Sequence, residues 1–440
     1  MKILFKLAFK NIVNYSKQSK STLLSLASAF ISLVLFQGYI ADLDLFLQET
    51  HSHKSMFGDF IIEHNLSLSS AAKKEPWKFY LQEPTQKMIK DIISKYHTAD
   101  WPICSVLRIS GMIQKKSQQF LFIGNGFDVE NCRRLRLPYW EKDTLFGRSL
   151  YQSPLPDKVL LGQTLAKNFD CEKKDKIRKH IATRKGYDKE IHEFECLNGD
   201  EFNLSVLTVN SQINSLDFNI LGIIDGGFIE LDARTIQLSL VKAQELYDTK
   251  GVSYLTFFSE SLKNDKKLFK QIQDELPPEV RILSWKDHEE IGDFYKRTMG
   301  LMKIFKTFVI IIVLLIVSLS IMNSLLKSIK ERTKEIGTLR SLGYTKSLIR
   351  NIFYVEVGLL SLFGSFVGAI ISLTATLFIN NLNISYKAGQ FVEPNLMSLA
   401  IEPINYIVVS FYILVLSLVG CFFVVKETLS KTVAENLTHA

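Results

Sequence analysis

The chain has 440 residues, of which 47% are hydrophobic and 22% are charged. Its mean hydropathy of +0.10 is too high for an ordinary soluble protein, and its charge content is too high for a chain buried throughout in lipid. The composition therefore excludes both classes and predicts membrane spans joined to a water-facing domain.

Four segments reach the length of about 20 apolar residues that a hydrocarbon core of roughly 30 Å requires. They are residues 21–41, 307–326, 352–379 and 404–425. Glu356 is the only charged residue within them. These lengths predict a membrane protein built on an α-helical four-span bundle.

The charges of the flanking segments predict the orientation. Residues 1–20 carry five Lys and no acidic residue, residues 327–350 carry seven Lys or Arg and two Glu, and the tail from residue 426 carries two of each sign. These segments sum to +10 (14 basic, 4 acidic) in a chain of net charge +8, so the remainder is −2. By the positive-inside rule both termini and the 327–351 segment face the cytoplasm. The basic balance is thus a topology signal, and no nucleic-acid partner is predicted.

Before the first span, residues 1–20 alternate apolar side chains with lysines, which predicts a cytoplasmic amphipathic helix lying in the membrane interface. A competing interpretation is a cleaved signal peptide with a small-residue site at Ala27-Ser28-Ala29. The apolar run of 21 residues is longer than an h-region of about 7 to 15 residues, which disfavours cleavage.

Residues 42–306 form a polar segment long enough for a large extracytoplasmic domain, with helical stalk arms at both ends. Alternating and apolar runs predict strands, and helical periodicity predicts four helices between them, so the domain is α+β. The predicted strands are 59–63, 103–114, 119–123, 204–209, 218–224, 235–240, 253–258 and 280–283. The predicted helices are 84–96, 163–168, 241–247 and 263–275.

Four cysteines fall in this outward domain: Cys104, Cys132, Cys171 and Cys196. In an oxidising compartment they allow up to two disulfides in three pairings, although buried thiols are equally consistent. Their spacing fits no zinc site, so no metal is predicted. His51 and His53 are expected to be solvated.

After the second span comes a cytoplasmic segment, 327–351, in which residues 329–342 have the periodicity of one amphipathic helix. Gly343 suits the left-handed residue that ends a helix, and Thr345 is placed to cap the next one. Nine residues of this segment resemble the signature of the FtsX-like permease family, which includes MacB-type efflux and LolC/LolE-type lipoprotein-release transporters: Glu331, Arg332, Glu335, Ile336, Gly337, Leu339, Arg340, Leu342 and Gly343. The resemblance implies that these residues form a coupling helix that docks into a cytoplasmic ATPase subunit. A solvated loop held by ordinary ion pairs is the alternative.

The third span, 352–379, carries small residues at helical intervals, which predicts close helix packing at Gly364 and Gly368. Glu356 lies about one turn into this span, near the inner interface. We expect it to pair with a base such as Arg350 or Arg340 and to act in transmission, not as a buried proton carrier. The loop 380–403 is short, faces outward and is poor in charge.

Two further segments are similar to the same family: Leu160-Leu161-Gly162 with Leu165-Ala166, and the Gly226–Asp232 turn that follows a strand. Trp285 also has a counterpart there. The resemblance implies a porter-like subdomain formed by both flanks of the domain and a sabre-like subdomain inserted at about 131–217.

The chain has no Gly-x-x-x-x-Gly-Lys-Ser/Thr motif, no nucleophile elbow and no HExxH motif, so we expect no catalytic site in it. ATP and Mg²⁺ are expected in a partner ATPase, with a second copy or a paralogous permease completing a dimer. The favoured function is that of a permease subunit of a mechanotransmission-type ABC transporter that extracts or exports a lipoprotein or lipid, with membrane lipid and a periplasmic carrier or adaptor as partners. The alternatives are a MacB-like efflux permease with an adaptor and outer-membrane channel, an FtsX-like subunit that activates a periplasmic partner without transport, and a membrane-anchored receptor.

Overall fold

The structure is a computed structural model that describes residues 10–12, 16–96, 102–135, 144–150, 157–182, 188–387, 389 and 391–430. Most of the predicted interfacial helix at 1–20 and of the tail at 426–440 lies outside these residues. The chain divides into two compact units. A helical unit comprises Met1–Leu45, Arg297–Tyr386 and Leu396–Ala440, and a mixed unit comprises Phe46–Lys296 and Lys387–Asn395.

Helices and strands alternate through the mixed unit, whereas the helical unit is built from long helices. The helices are α1 (Ser16–Glu49), α2 (Ser70–Lys74), α3 (Glu83–Lys95), α4 (Val129–Leu135), α5 (Gln163–Asn168), α6 (Ile229–Asp232), α7 (Leu240–Tyr247), α8 (Glu260–Asn264), α9 (Lys266–Glu275), α10 (Ile291–Glu331), α11 (Thr333–Ser341), α12 (Lys346–Asn381) and α13 (Pro403–Ser430). The strands are β1 (Phe60–His64), β2 (Cys104–Lys115), β3 (Gln118–Phe127), β4 (Thr144–Gly147), β5 (Lys158–Gly162), β6 (Cys171–Ala182), β7 (Asp188–Cys196), β8 (Glu201–Leu207), β9 (Ile213–Ile224), β10 (Thr235–Ser239), β11 (Tyr254–Phe257), β12 (Val280–Ser284), β13 (Ser385–Tyr386) and β14 (Asn395–Leu396). A π-helical turn, Thr50–Lys54, follows α1.

Within the described residues, four helices are long and apolar enough to cross a membrane: α1, α10, α12 and α13. Each contains one predicted span, and the large α+β region lies between the first and the second, so the predicted fold class is confirmed. Their shared core contains Phe30, Ile321, Phe353 and Ile413, which are all 5% exposed or less. Apolar burial between the helices therefore organises this unit, with lipid-length apolar surface left on its outside.

Two glycines allow α12 to approach α1 closely. A Cβ atom at Gly364 would lie 2.7 Å from Leu26 Cβ, and one at Gly368 would lie 2.8 Å from Phe30 Cβ. Real Cβ atoms do not approach this closely, so both positions require glycine at the present helix separation. Gly358, on the same helix, has open space around it.

Six strands of the mixed unit close into a ring in the order β2, β3, β10, β5, β9, β8 and back to β2. Their inward side chains fill the interior, as in other small barrels. The residues that line it are each buried: Leu107, Ile109, Ile113, Phe122, Val159, Leu161, Leu204, Val206, Phe218, Ile220, Ile236 and Leu238. β12, β1 and β11 extend the sheet from β2, and β4, β7 and β6 extend it from β9.

The predicted strands all occur, with ends shifted by a few residues, but β4, β5, β6, β7, β13 and β14 were missed. β6 and β7 form a two-stranded arm at the end of the sheet. Their sequences are rich in charged residues and lack the alternation of apolar and polar residues from which the other strands were predicted. β5 and β8 fall inside the predicted insertion at 131–217 and yet belong to the closed ring, so the boundaries of that insertion stay a prediction.

The structure selects one of the three cysteine pairings. Cys104 is bonded to Cys132, and Cys171 is bonded to Cys196. The first joins β2 to α4, and the second joins directly opposed residues of β6 and β7. Both disulfides fit a domain in an oxidising compartment.

The glycine contacts on α12 predict opposite effects of one substitution at two positions. Gly364→Ala should lower the free energy of unfolding by about 1 to 3 kcal/mol because the added methyl group collides with Leu26. Gly358→Ala should leave it unchanged or raise it, since alanine has the higher helix propensity and meets no neighbour. Unfolding of the purified protein in detergent, followed by circular dichroism, checks this. Equal effects of the two substitutions would contradict the close packing.

Candidate functional site

The candidate site is the turn between α10 and α12, where the chain breaks into the short helix α11. α10 ends at Glu331, and Arg332 leaves helical geometry with φ −101° and ψ 10°. The sequence predicted one helix over residues 329–342. This prediction is wrong, because the break at Arg332 divides the range between α10 and α11. Because the break turns the chain, the side chain of Arg332 can enter the bundle while its neighbour Glu331 remains exposed.

The other end of the turn has the geometry that the sequence predicts. Gly343 has φ +91°, in the left-handed region that glycine adopts most easily. The amide of Tyr344 donates to the carbonyl of Leu339 at 3.0 Å, which closes the end of α11. Thr345 Oγ1 accepts a hydrogen bond from the amide of Leu348 and caps α12, which confirms its predicted role.

The central interaction of the site is a buried ion pair between Arg332 and Glu356. Arg332 Nη1 donates to Glu356 Oε2 at 2.9 Å, and Arg332 Nη2 donates to Glu356 Oε1 at 3.0 Å. The two residues are only 2% and 4% exposed. Asn11 Nδ2 also donates to Glu356 Oε2, at 3.4 Å. This two-pronged geometry is the strongest arrangement that a guanidinium and a carboxylate can form.

This pair corrects the expected partner of Glu356, which was Arg350 or Arg340. Arg350 is exposed and its Nη2 donates to Ser347 Oγ at 3.4 Å, while Arg340 is half-buried on α11. Arg332 takes the position because the break after α10 directs it toward α12. A carboxylate among apolar helices requires such a partner, since an unpaired buried charge is costly.

The remaining residues of the resemblance divide between two environments. Ile336 and Gly337 are buried, and Leu339 is half-buried against the apolar core of the bundle. Glu331, Glu335 and Gly343 are exposed, and the side chain of Leu342 is exposed to 71%. The apolar positions thus attach α11 to its own bundle, and the acidic positions together with Leu342 form the outer surface of the turn.

In the mixed unit, the structure brings together two segments that were separate in the sequence. The buried carboxylate of Asp232 accepts hydrogen bonds from the amides of Gln163, Thr164 and Gly226. A Cβ atom at Gly162 would lie 2.1 Å from the carbonyl oxygen of Asp232. The Gly162 segment and the Gly226–Asp232 turn therefore form one hydrogen-bonded structure, and its common element is the carboxylate at position 232.

An aromatic cluster in the same unit was not predicted. The ring of His51, in the turn after α1, stacks on Trp285 at 5.2 Å between centroids and on Phe294 of α10 at 6.1 Å. Phe228 contacts Phe294 at 5.1 Å and Phe391 at 4.7 Å. His51 is half-buried in this stack, not solvated as predicted, and the described side chains contain no cluster of three or more possible metal ligands. The side chain of His53 lies outside the described residues.

The start of α10 rests on a buried charged network. His288 Nδ1 accepts hydrogen bonds from the amides of Glu290 and Ile291, both at 3.2 Å, and its Nε2 lies 3.4 Å from Glu63 Oε2. Arg281 donates to Glu63 through Nε and Nη2 at 3.1 and 2.7 Å. The sequence did not predict that His288 caps α10, because a histidine that follows a strand is not a typical helix-capping residue.

This network determines the ionisation of Glu63. Burial acts to raise the pKa of the carboxyl group, but the hydrogen bond from His288 and that from Arg281 outweigh it. Together with the positive charge of Arg108 they lower the pKa of Glu63 to about 2. Glu63 is therefore charged at every pH at which the protein would work.

Comparison with known proteins bears on the helical part of the chain. Residues 307–433 match the family model described as FtsX-like permease C-terminal. These residues contain both halves of the buried ion pair. The chain contains an FtsX-like permease domain.

Proteins similar to this chain include an uncharacterized ABC transporter permease of Methanocaldococcus jannaschii, 28% identical over 169 residues, which are 37% of this chain and 41% of that protein. The ABC transporter permease YtrF of Bacillus subtilis is 25% identical over 242 residues, which are 51% of this chain and 54% of YtrF. The macrolide export ATP-binding/permease protein MacB of Neisseria gonorrhoeae is 31% identical over 93 residues, which are 21% of this chain and 14% of MacB. The chain thus spans about half, or less, of the length of these relatives.

Two solved structures are similar to this chain with a TM-score of 0.30 each. The extracellular domain of the noncanonic ABC-type transporter YknZ from Gram-positive bacteria shares 10% identity, with 51% of this chain and 99% of that chain covered. The periplasmic region of MacB from Actinobacillus actinomycetemcomitans shares 9% identity, with 56% and 94% covered.

The ion pair of the permease domain predicts strong coupling between two substitutions. Arg332→Met and Glu356→Gln should each lower the free energy of unfolding by about 3 kcal/mol, because each leaves a buried partner unpaired. The double variant should lose much less than the sum. The same cycle on the exposed pair Lys296 and Asp287, whose atoms lie 2.9 Å apart, should give a coupling of at most about 1 kcal/mol. Additive effects at positions 332 and 356 would rule out the pair.

The lowered pKa of Glu63 predicts a pH dependence with a definite sign. Its stabilising effect is complete above the ordinary pKa of 4.5 and is lost as the pH falls toward the folded-state value of about 2. The wild-type protein should therefore be more stable than Glu63→Gln at neutral pH, and the difference should shrink as the pH falls through this window. Urea unfolding of both proteins at several pH values measures it. A difference that stays constant down to the lowest pH would show that the charge of Glu63 is not responsible.

Proposed function

We propose that this chain is the permease subunit of an ABC transporter and couples ATP hydrolysis by a separate cytoplasmic ATPase to the extraction or export of a lipophilic substrate, a lipoprotein or a lipid, outside the inner membrane. The observation that carries the proposal is the turn at residues 331–343, which is fixed to the bundle by the Arg332–Glu356 pair. Its outer surface of Glu331, Glu335 and Leu342 is the docking surface for the ATPase.

The docking surface combines charge with an exposed apolar side chain. Leu342 projects at the end of α11, immediately before the left-handed Gly343. In the proposed interface Leu342 would supply the apolar contact and the acidic side chains would supply the polar rim. Ile336 and Leu339 cannot serve in the same way, because they already pack against the bundle.

Force applied to this surface has a defined route through the chain. α11 cannot move without moving Arg332, and Arg332 is joined to α12 through Glu356 and to α10 through the chain itself. α10 begins at Ile291, where His288 caps it and where Phe294 joins the aromatic cluster. ATP binding would thus move the helices, and their outer ends would move the mixed unit.

Orientation and stoichiometry belong to the same proposal. The positive-inside rule puts both termini and the turn in the cytoplasm and the disulfide-bonded unit in the periplasm. Two copies, or this chain and a paralogue, would each contribute four spans. This small number of helices disfavours the passage of a substrate through a wide pore. It favours a mechanism that acts on a molecule taken from the outer leaflet or already in the periplasm. ATP and Mg²⁺ would be held by the ATPase.

The likeness to MacB favours a second candidate, efflux through an adaptor and an outer-membrane channel. A third, signalling to a periplasmic partner without transport, uses the same inner machinery. ATPase activity in proteoliposomes separates the three. Stimulation by lipid or lipoprotein supports the first, stimulation by a macrolide with an adaptor supports the second, and stimulation by a soluble partner alone supports the third.

The docking surface predicts which substitutions separate the two subunits. Glu335→Lys and Leu342→Asp should each weaken co-purification of the ATPase by about tenfold or more, a loss typical of a central interface residue. Leu382→Asp, at the opposite end of α12 and also in an exposed position, serves as the control and should have no effect. The ATPase is identified by mass spectrometry of the complex purified from its native membrane. Undiminished binding by both docking variants would contradict the assignment.

A further inference from the structure

One buried lysine has no place in the proposed coupling mechanism. Lys115 lies at the end of β2, inside the rim of the closed ring of strands, and is 3% exposed. Its Nζ donates to the carbonyl oxygen of Phe169 at 3.3 Å and lies 5.7 Å from the centre of the Phe169 ring. A buried ammonium group is costly unless a group of opposite charge or a hydrogen-bond acceptor lies close to it.

A cysteine sulfur lies close to this ammonium group. Lys115 Nζ lies 4.0 Å from Cys171 Sγ, and Cys171 is 2% exposed. While the bond to Cys196 is intact this sulfur is neutral, but on reduction it becomes a thiol whose thiolate would face the ammonium group directly. A positive charge at this distance stabilises a thiolate and lowers the pKa of its thiol.

The charges around Lys115 hold it in place. Burial lowers the pKa of its ammonium group, and the negative charges of Asp170 and Asp200 partly offset this effect. Asp170 is itself anchored, because its carbonyl accepts from the amide of Leu197 at 3.1 Å and its carboxylate from Asn198 Nδ2 at 3.4 Å. Lys115 therefore lies among negative charges from both flanks of the disulfide, and its hydrogen-bond geometry places it beside Phe169 and Cys171.

The two sulfurs of this disulfide differ in access. Cys196 is half-buried at the end of β7, next to the exposed Leu197, whereas Cys171 is enclosed. An incoming thiolate can thus reach Cys196 and not Cys171. The other disulfide offers no such entry, since Cys104 and Cys132 are both 0% exposed and lie in an apolar cluster with Met56, Val106 and Phe127.

We propose that Cys171–Cys196 is a thiol–disulfide exchange site, in which a protein or small-molecule dithiol attacks Cys196 and Lys115 stabilises the departing Cys171 thiolate. The first thiolate of the reductant forms a bond to Cys196 Sγ, and the Cys171–Cys196 bond breaks with its electron pair on Cys171. The second thiolate of the reductant then attacks the mixed disulfide and releases Cys196. Two electrons pass to the cysteines, the reductant becomes a disulfide, and its two protons are available to the new thiols.

The site lies on the arm formed by β6 and β7, so the exchange would change the covalent restraint of that arm. Cys171 and Cys196 are directly opposed at the end where the arm meets the closed ring. Reduction would leave the pairing of β6 with β7 as the connection there. The inference is independent of the transport proposal, because it concerns the mixed unit alone.

The test uses the purified full-length chain in mixtures of reduced and oxidised dithiothreitol. Each cysteine is quantified by alkylation and peptide mass spectrometry. Cys171–Cys196 should open at reductant ratios that leave Cys104–Cys132 closed. In Lys115→Met the equilibrium should shift about tenfold toward the disulfide, and the pKa of the Cys171 thiol, read from the pH dependence of thiolate absorbance in the reduced protein, should rise by about one unit.

Two further variants separate charge from structure. Lys116→Met removes the same charge from the exposed neighbouring lysine, whose Nζ is bonded to Asn198 Oδ1 at 2.7 Å, and should leave the equilibrium as in the wild type. Lys115→Arg keeps a cation and should restore the low thiol pKa. If the two disulfides of the wild type open together, or if Lys115→Met and Lys116→Met behave alike, the proposal is wrong.

Discussion

The helical unit depends on one ion pair inside its apolar bundle. A guanidinium and a carboxylate removed from water lose hydration that only close, two-pronged contact can offset, and Arg332 and Glu356 form that contact. Its energetic asymmetry matters more than its net stabilising effect. The intact pair is tolerated, whereas either partner alone is strongly unfavourable, so the turn at residues 331–343 has one position relative to α12. The proposed docking surface would need such a fixed position to transmit force.

The mixed unit uses the same physical principle around Asp232, His288 and Glu63. Each is a buried polar group whose hydrogen-bonding capacity is used to hold separate segments together, namely backbone amides of a neighbouring loop, the first turn of α10 and an arginine of β12. Buried polar groups that are fully bonded specify one arrangement. The packing within the mixed unit is therefore specified by directional bonds as well as by apolar burial.

The sequence was most informative where one physical signal dominates. The four spans follow from apolar length, the left-handed Gly343 and the capping Thr345 follow from local backbone chemistry, and Glu356 was notable because it is the one charge in the apolar segments. Its partner could not be derived, because the break at Arg332 depends on packing against α12 and not on local propensity. The closure of six strands into a ring, the pairing of the cysteines and the stacking of His51 likewise depend on contacts between residues far apart in the chain. The strands β6 and β7 were not predicted because apolar and polar residues do not alternate along their charged sequences.

The central claim is that motion at the inner turn reaches the mixed unit through the Arg332–Glu356 pair. Double electron–electron resonance tests it most directly, with spin labels at Met88→Cys, an exposed position of the mixed unit, in a reconstituted dimer bound to its ATPase. The account predicts that the distance between the two labels changes when ATP binds and that Glu356→Gln abolishes the change while ATP still binds. The same change of distance in Glu356→Gln and in the wild type would contradict it.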